Sequence, residues 1–285
     1  MQVTKTVQET RALIKNWKKE GKTIGLVPTM GFLHEGHASL IKRCREENDI
    51  VVVSDFVNPT QFNDKNDLEK YPRTLDADCA LLEACGAAFV FAPSVAEMYP
   101  EPDTRQFSYA PLDTVMEGAF RPGHFNGVCQ IVSKLFDAVQ PDRAYFGEKD
   151  FQQLAIIREM VRQMDYKLEI VGCPIVREED GLAKSSRNTY LSKDERKAAL
   201  ILSKAVKLGE DMAKAGEKDT DKIVSEMIKL IETEPMAKID YVQAVDAVSV
   251  KPVKEMTAPV LVAMAVYIGK TRLIAVSYTH LTLPT

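Results

Sequence analysis

His34 and His37 stand three residues apart in the stretch PTMGFLHEGHASL (28–40) and make up half of the four histidines in the 285-residue chain. Imidazole nitrogens placed this way are able to donate hydrogen bonds to phosphate oxygens as negative charge builds up on them. Pro28 and Gly31 allow a tight turn after an apolar run, and Gly36 lets backbone approach a ligand closely. His37 then falls in the first turn of a helix, where free N–H groups and the positive dipole end favour an anion. The alternative is that both rings only cap or pack. A pair on a glycine-punctuated turn after a buried strand favours the site.

Four further stretches carry candidate chemistry. In FVNPTQF (56–62), Asn58 and Gln61 are neutral amides that both donate and accept, suited to hydroxyls and a carboxylate. Asn58 precedes a proline and has a turn-forming role open to it as well; Gln61 has no comparable structural reason to be there. EGAFRPGHFNGV (117–128) places Arg121 and His124 among glycines, as either a surface loop or a flap that closes over substrate. FGEKDFQQL (146–154) puts Gly147, Glu148, Lys149 and Asp150 on a strand-to-helix turn, with Asp150 as an N-cap. There Lys149 is placed to meet a phosphate, and Gln153 faces the same cleft one turn on. REEDGLAKSSRNTYLS (177–192) sets Lys184, Ser185, Ser186 and Arg187 in a row, two cations flanking two hydroxyls, which suits a polyphosphate better than a plain surface loop.

The elements that must position these residues alternate short apolar runs with helical patterns. TIGLVPT, DIVVVSDFV, AAFVFA, RAYFG and LEIVG read as strands, and ADCALLEAC, 125–139 and 150–164 as helices. Residues 1–22 read as one amphipathic helix with no signal-peptide core. Repeated βα units predict an α/β fold: a Rossmann-like parallel sheet with helices on both faces, over residues 1–178. Ligands in such sheets bind beyond the carboxyl ends of the strands, so the loops after GLVPT, VVVSDFV and AYFG should converge. From Ser192 the chain becomes helical and charged, then strand-like in KIDYVQAVD and PVLVAMAVYIG, which predicts a smaller C-terminal α+β domain over 179–274.

A net charge of −4 with interspersed signs gives no electrostatic footprint for nucleic acid or a membrane surface. No apolar stretch approaches the roughly 20 residues needed to span a bilayer. Five cysteines without CxxC pairing read as buried thiols in a reducing compartment, and the expected location is the cytoplasm.

Taken together, HEGH after a strand and KSSR further on resemble the HIGH and KMSKS elements of class I aminoacyl-tRNA synthetases and related nucleotidylyltransferases. PTMGFLHEGHASL, FVNPTQF, RPGHFNGV, FGEKDFQQL and DGLAKSSRNTYLS more closely resemble, in order, the motifs of the pantothenate synthetase (pantoate–β-alanine ligase) family. The resemblance runs to about Ile274. It implies an ATP-dependent ligase that joins pantoate to β-alanine through an acyl-adenylate and releases AMP and pyrophosphate, in a homodimer that uses Mg2+ with ATP. It further implies that Met30, Gly31, His34, Gly36 and His37 contact ATP, with His37 the family's proton donor and His34 beside it. Gln61 and Gln153 would hold pantoate, Gln61 also touching the β-alanine site, and Asn58 is added as a substrate contact. Gly147, Glu148, Lys149, Asp150 and Val176 would bind the nucleotide, with Lys149 on phosphate, and Lys184, Ser185, Ser186 and Arg187 would cover the triphosphate. No protein ligand to the metal is expected. A HIGH-motif nucleotidylyltransferase acting on a phosphorylated acceptor, and a non-catalytic nucleotide-binding module, are the competing readings. The last residues, AVSYTHLTLPT (275–285), depart from the family's usual ending and read as a non-native tail or as a further strand.

Overall fold

A computed structural model of the chain describes residues 1–257 and 259–279. It divides into two compact units, one from Met1 to Pro174 and the other beginning at Ile175. The division falls a little ahead of the expected 178/179 boundary, because the last strand of the first unit ends at Cys173 and Pro174 has no N–H with which to extend it.

The first unit runs β1 (Gln2–Thr4), α1 (Val7–Lys19), β2 (Ile24–Thr29), α2 (Glu35–Glu47), β3 (Ile50–Asp55), α3 (Lys65–Lys70), α4 (Leu75–Cys85), β4 (Phe89–Phe91), α5 (Val95–Met98), α6 (Glu117–Phe120), α7 (His124–Val139), β5 (Arg143–Gly147), α8 (Phe151–Gln163) and β6 (Glu169–Cys173). The expected single helix over 1–22 is corrected. Residues 2–4 pair with β4 as an edge strand, and the helix begins only after Thr6, where Thr6 and Glu9 close a capping box.

All pairings in the six-stranded sheet are parallel, in the order β1-β4-β3-β2-β5-β6. The apolar strands are buried on both faces, as a doubly covered sheet requires. Leu26 and Val52 join Ile14 of α1, Phe136 of α7 and Ile157 of α8 in one core, whereas Val27, Val51 and Val53 join Ile41 of α2 and Leu82 of α4 in the other. Of the five cysteines, Cys44, Cys129 and Cys173 are buried as expected; Cys79 and Cys85 are only half-buried.

Strand order reverses between β2 and β5, which makes that junction the topological switch point. β2 and β3 are in register from Ile24 to Thr29, but β2 and β5 pair only at Gly25–Arg143 and Leu26–Ala144. Beyond Leu26 the two strands are no longer paired, and an α/β sheet places its ligand crevice at the carboxyl ends of strands at such a point.

The second unit holds α9 (Lys193–Ala198), α10 (Leu200–Lys214), α11 (Thr220–Ile231) and an antiparallel sheet β7 (Ala237–Asp246), β8 (Val260–Ile268) and β9 (Thr271–Thr279). Its core packs Leu202, Val206, Ile223 and Met227 against Val262, Met264 and Val266. β9 stays in register with β8 through Thr279, and Ala275 and Val276 are buried. Residues 275–279 of the expected tail thus form the end of a strand, while 280–285, with His280, lie outside the described residues. A stop after Ile274 should strip half of a core strand from the sheet and lower the unfolding midpoint by several degrees, which a calorimetric scan of the truncated chain would register.

Candidate active site

At the end of β2 the backbone turns through two left-handed residues, Gly31 at φ 76° and Phe32 at φ 52°. Gly31 is obligatory twice over. Its conformation disfavours a side chain, and a Cβ there would stand 2.4 Å from Asp55 Oδ1. The turn is tied down by Asp78 of α4, which is 3% exposed. Its carboxylate accepts the Phe32 N–H at 2.9 Å and the Leu33 N–H at 2.7 Å, and the Thr74 hydroxyl at 2.9 Å.

The histidines follow this turn and cap α2 reciprocally. His34 is the N-cap, and its Nδ1 accepts the Gly36 N–H at 3.1 Å; His37 Nδ1 accepts the His34 N–H at 3.2 Å. The rings lie 4.2 Å apart, centroid to centroid. Capping and chemistry are therefore not alternatives. A ring whose Nδ1 accepts must, when neutral, carry its proton on Nε2, so both histidines are held as Nε2–H donors. His37 is kept neutral: its pKa is pushed down to about 3, first by burial of the ring, then by the charge of His34 and of Lys149, against the pull of Asp150.

That influence places His37 within electrostatic reach of the β5 turn. After Gly147 ends the strand, Glu148–Asp150 form one turn of 3-10 helix before α8. The expected capping by Asp150 is corrected: it occupies the N-cap position, but its side chain makes no cap hydrogen bond and pairs with Lys149 Nζ at 3.2 Å. Gln153 is half-buried, and among the described residues its amide has no protein hydrogen-bond partner. Its neighbour Gln152 is spent on the carbonyls of Leu112 and Val115, both at 2.7 Å, and on the Glu117 N–H at 3.1 Å.

The β3 loop is locked against α7. Gly127 of α7 lies so close that a Cβ would stand 2.4 Å from the Thr60 carbonyl oxygen. His124 Nδ1 lies 2.8 Å from the Gln61 carbonyl oxygen and Nε2 lies 3.1 Å from Arg121 Nη1. A guanidinium only donates, so Nε2 accepts and Nδ1–H donates to Gln61: the opposite tautomer from His37. Burial pushes the His124 pKa down to about 4, with Arg121 adding to it while Asp150 pulls the other way. Gln61 Nε2 lies 3.3 Å from Met30 Sδ, which joins the β3 loop to the β2 turn, and Asp150 of the β5 turn acts electrostatically on both His37 and His124.

Asn58 departs from its expected substrate contact. It is 1% exposed, and its amide is engaged by Gln61, Gly127, Tyr99 and Thr60. Asp55, Asp78, Tyr99, Gln152 and Gly127 are the supporting residues that spacing alone did not single out. One signal was present for Asp78, a charge four residues before buried Leu82 on the same helix face.

In the second unit, Val176 and Lys184 close a short hairpin, with the Lys184 N–H on the Val176 carbonyl at 2.9 Å and an Arg177–Ala183 bridge. Lys184 Nζ pairs with Glu178 at 2.9 Å. Ser185 caps the following turn of 3-10 helix, which spans Ser186–Tyr190, by accepting the Arg187 N–H. The KSSR row is thus ordered as one hairpin exit.

Residues 2–277 match the family model for pantoate-beta-alanine ligase. The chain belongs to this family. A pantothenate synthetase of Bacteroides thetaiotaomicron is 64% identical over 277 residues, covering 96% of this chain and 97% of that protein. Among solved structures, the pantothenate synthetase of Thermus thermophilus superposes with a TM-score of 0.92 at 43% identity, covering 97% of this chain and 99% of that one. The pantoate-beta-alanine ligase of Francisella tularensis, complexed with beta-gamma ATP and beta-alanine, does so with a TM-score of 0.81 at 32% identity, over 97% of each chain.

The turn that carries the histidines leaves a pH signature. Asp55 is pushed up to about 6 by burial and by the charge of neighbouring Asp78. A carboxyl whose folded pKa lies above its unfolded value contributes stability that is full below about pH 4 and is lost as pH rises through 6. Asp55→Asn should remove this loss, so denaturant midpoints of the wild-type and variant proteins should diverge as pH rises from about 4 to 6 and stay apart above that, in the variant's favour. Gly127→Ala should force the β3 loop off α7, lowering stability by about 1–3 kcal/mol by overpacking and weakening substrate binding in the same protein.

Proposed function

We propose that this chain catalyses the ATP-dependent condensation of pantoate with β-alanine, giving pantothenate, AMP and pyrophosphate through a pantoyl-adenylate. The observation that carries the reading, beside family membership, is the histidine pair at the switch point. Two imidazoles with Nδ1 spent on the helix cap offer Nε2–H groups, and Lys149 stands within electrostatic reach of His37.

In the first step the pantoate carboxylate attacks the α-phosphorus of ATP, and the bond to the β-phosphate bridging oxygen breaks. Negative charge grows on the phosphate oxygens and on departing pyrophosphate, and His37, His34 and Lys149 supply donors and a positive charge to them. In the free protein His37 is a neutral hydrogen-bond donor, which refines the proton-donor role that the resemblance implies. In the second step the β-alanine amine attacks the acyl carbon, AMP leaves with the electron pair of the broken C–O bond, and the amine loses a proton. No side-chain nucleophile is needed; the protein holds the reactants in line. Gln61 and Gln153 serve pantoate, Met30, Gly31, Gly36, Gly147, Glu148, Asp150 and Val176 the nucleotide, and Lys184, Ser185, Ser186 and Arg187 its phosphates.

Among the described residues no three or more His, Cys, Asp or Glu gather as a metal cage. Magnesium belongs to this reading through the family resemblance, as MgATP, the substrate, held mostly by phosphates and water. Among the described residues no helix is long and apolar enough to cross a membrane, and the reading places a homodimer in the cytoplasm.

The deciding experiment is AMP release with pantoate and β-alanine each omitted in turn. Pantoate alone should support ATP–pyrophosphate exchange, and both substrates should be needed for steady AMP release. Exchange driven by a phosphorylated acceptor but not by pantoate would overturn the ligase. His37→Ala should lower kcat by about 10²–10³-fold, the cost typical of one lost donor to developing charge. His37→Asn separates the two roles of the ring. Its Oδ1 keeps the cap, so stability should hold within about 0.5 kcal/mol, while turnover falls as in the alanine variant.

A further inference from the structure

The amide of Asn58 has a fixed direction, and that direction propagates to Gln61. Gly127 presents a carbonyl oxygen 3.1 Å from Asn58 Nδ2, and a carbonyl only accepts. The nitrogen end of Asn58 must therefore face Gly127, and its oxygen end faces the hydroxyls of Tyr99 at 2.7 Å and Thr60 at 3.1 Å, both able to donate. The same Nδ2 lies 2.9 Å from the Gln61 side chain, so the atom that Gln61 turns toward it must be the acceptor Oε1. All four hydrogen-bonding positions of the Asn58 amide are then used within the protein. Gln61 is left with its NH2 turned the other way, where its one protein partner among the described residues is the thioether of Met30 at 3.3 Å. A thioether is a weak acceptor, so these N–H groups stay available.

From this we infer that Asn58 is a positioning residue that sets the polarity of Gln61, so that the site receives N–H donors and no carbonyl oxygen from it, and selects an anionic or hydroxyl acceptor such as pantoate. The inference rests on the ligase reading and deepens it. Turned over, Gln61 would point a carbonyl oxygen at the substrate carboxylate, losing a hydrogen bond and adding repulsion. The backbone is fixed by the same surroundings: His124 donates to the Gln61 carbonyl, and Gly127 backs directly onto Thr60 and Gln61. Only the amide's two-fold choice remains, and Asn58 makes it.

A double-mutant cycle tests this on the full chain, read by pantoate-dependent ATP–pyrophosphate exchange with melting midpoints recorded for each variant. Asn58→Ala should raise the pantoate KM by about tenfold or more while the ATP KM stays within about twofold, as expected for loss of one oriented hydrogen bond to a charged group. In a Gln61→Ala background the same change should add less than about twofold, because a residue acting through another is silent once that other is gone. An additive penalty in both backgrounds would mean that Asn58 touches substrate itself, and equal rises in both KM values would mean a general loss of structure; either overturns the inference. If Asn58→Ala does not fold, Tyr99→Phe, which removes one donor to Asn58 Oδ1, replaces it in the cycle. It should raise the pantoate KM a few-fold in the parent and leave it unchanged in Gln61→Ala, and no change in the parent overturns the inference. Absence of pantoate-dependent exchange in the wild-type protein overturns the ligase reading instead, and with it the acceptor named here.

Discussion

Strands β2 and β5 are joined by two registered residue pairs, at Gly25–Arg143 and Leu26–Ala144, and then separate. Because strand order reverses there, no crossover helix fills the gap at their carboxyl ends. Backbone leaving a sheet at such a point has donors and acceptors without ladder partners, and it satisfies them with side chains. Asp78 takes the amides of Phe32 and Leu33, and the histidines take those of Gly36 and His34. The first unit's site is assembled from the groups that settle these ends.

Capping therefore does more than hold a helix. Serine, threonine, aspartate and asparagine are the usual N-caps, and each would have satisfied the same amides. Histidine differs in having a second ring nitrogen whose protonation is dictated by what the first one does. Using Nδ1 as the cap acceptor leaves Nε2–H as a donor of fixed direction. His124 runs the same logic in reverse: Arg121 occupies its Nε2 and Nδ1–H holds the Gln61 carbonyl. Half-buried His37 and buried His124, both of low pKa, thus carry opposite tautomers, set by their partners and not by pH.

The strand and helix alternation of the first unit was readable because its strands are short apolar runs closed by glycine or proline. The three loops that converge were readable from their residue types. What escaped was the work done by each residue within a loop. Asn58 looked like a substrate contact because a neutral amide both donates and accepts, and sequence does not say that four protein groups would surround it. Asp150 looked like an N-cap because aspartate before a helix usually is one, but the Lys149 ammonium competes for it. Residues 2–4 disappeared into a helical pattern because a three-residue edge strand carries too few positions for a period to register. The capping roles of His34 and His37 were weighed as a rival to chemistry, and only coordinates reveal that one nitrogen serves each.

Asp55 and Asp78 show what this arrangement costs. Two carboxyls close enough for one to raise the pKa of the other are a poor way to build a core, and among the described residues Asp55 Oδ2 is buried without a donor. Asp78 earns its place by holding Phe32 in a left-handed conformation that a non-glycine residue seldom adopts. Asp55 fills the space that Gly31 leaves by having no side chain. Relaxing either would let the β2 turn drift and carry His34 with it, since the cap begins at the residue after Leu33. Local strain is retained where a displacement of a fraction of an ångström would turn both Nε2–H groups away from the direction that the cap gives them.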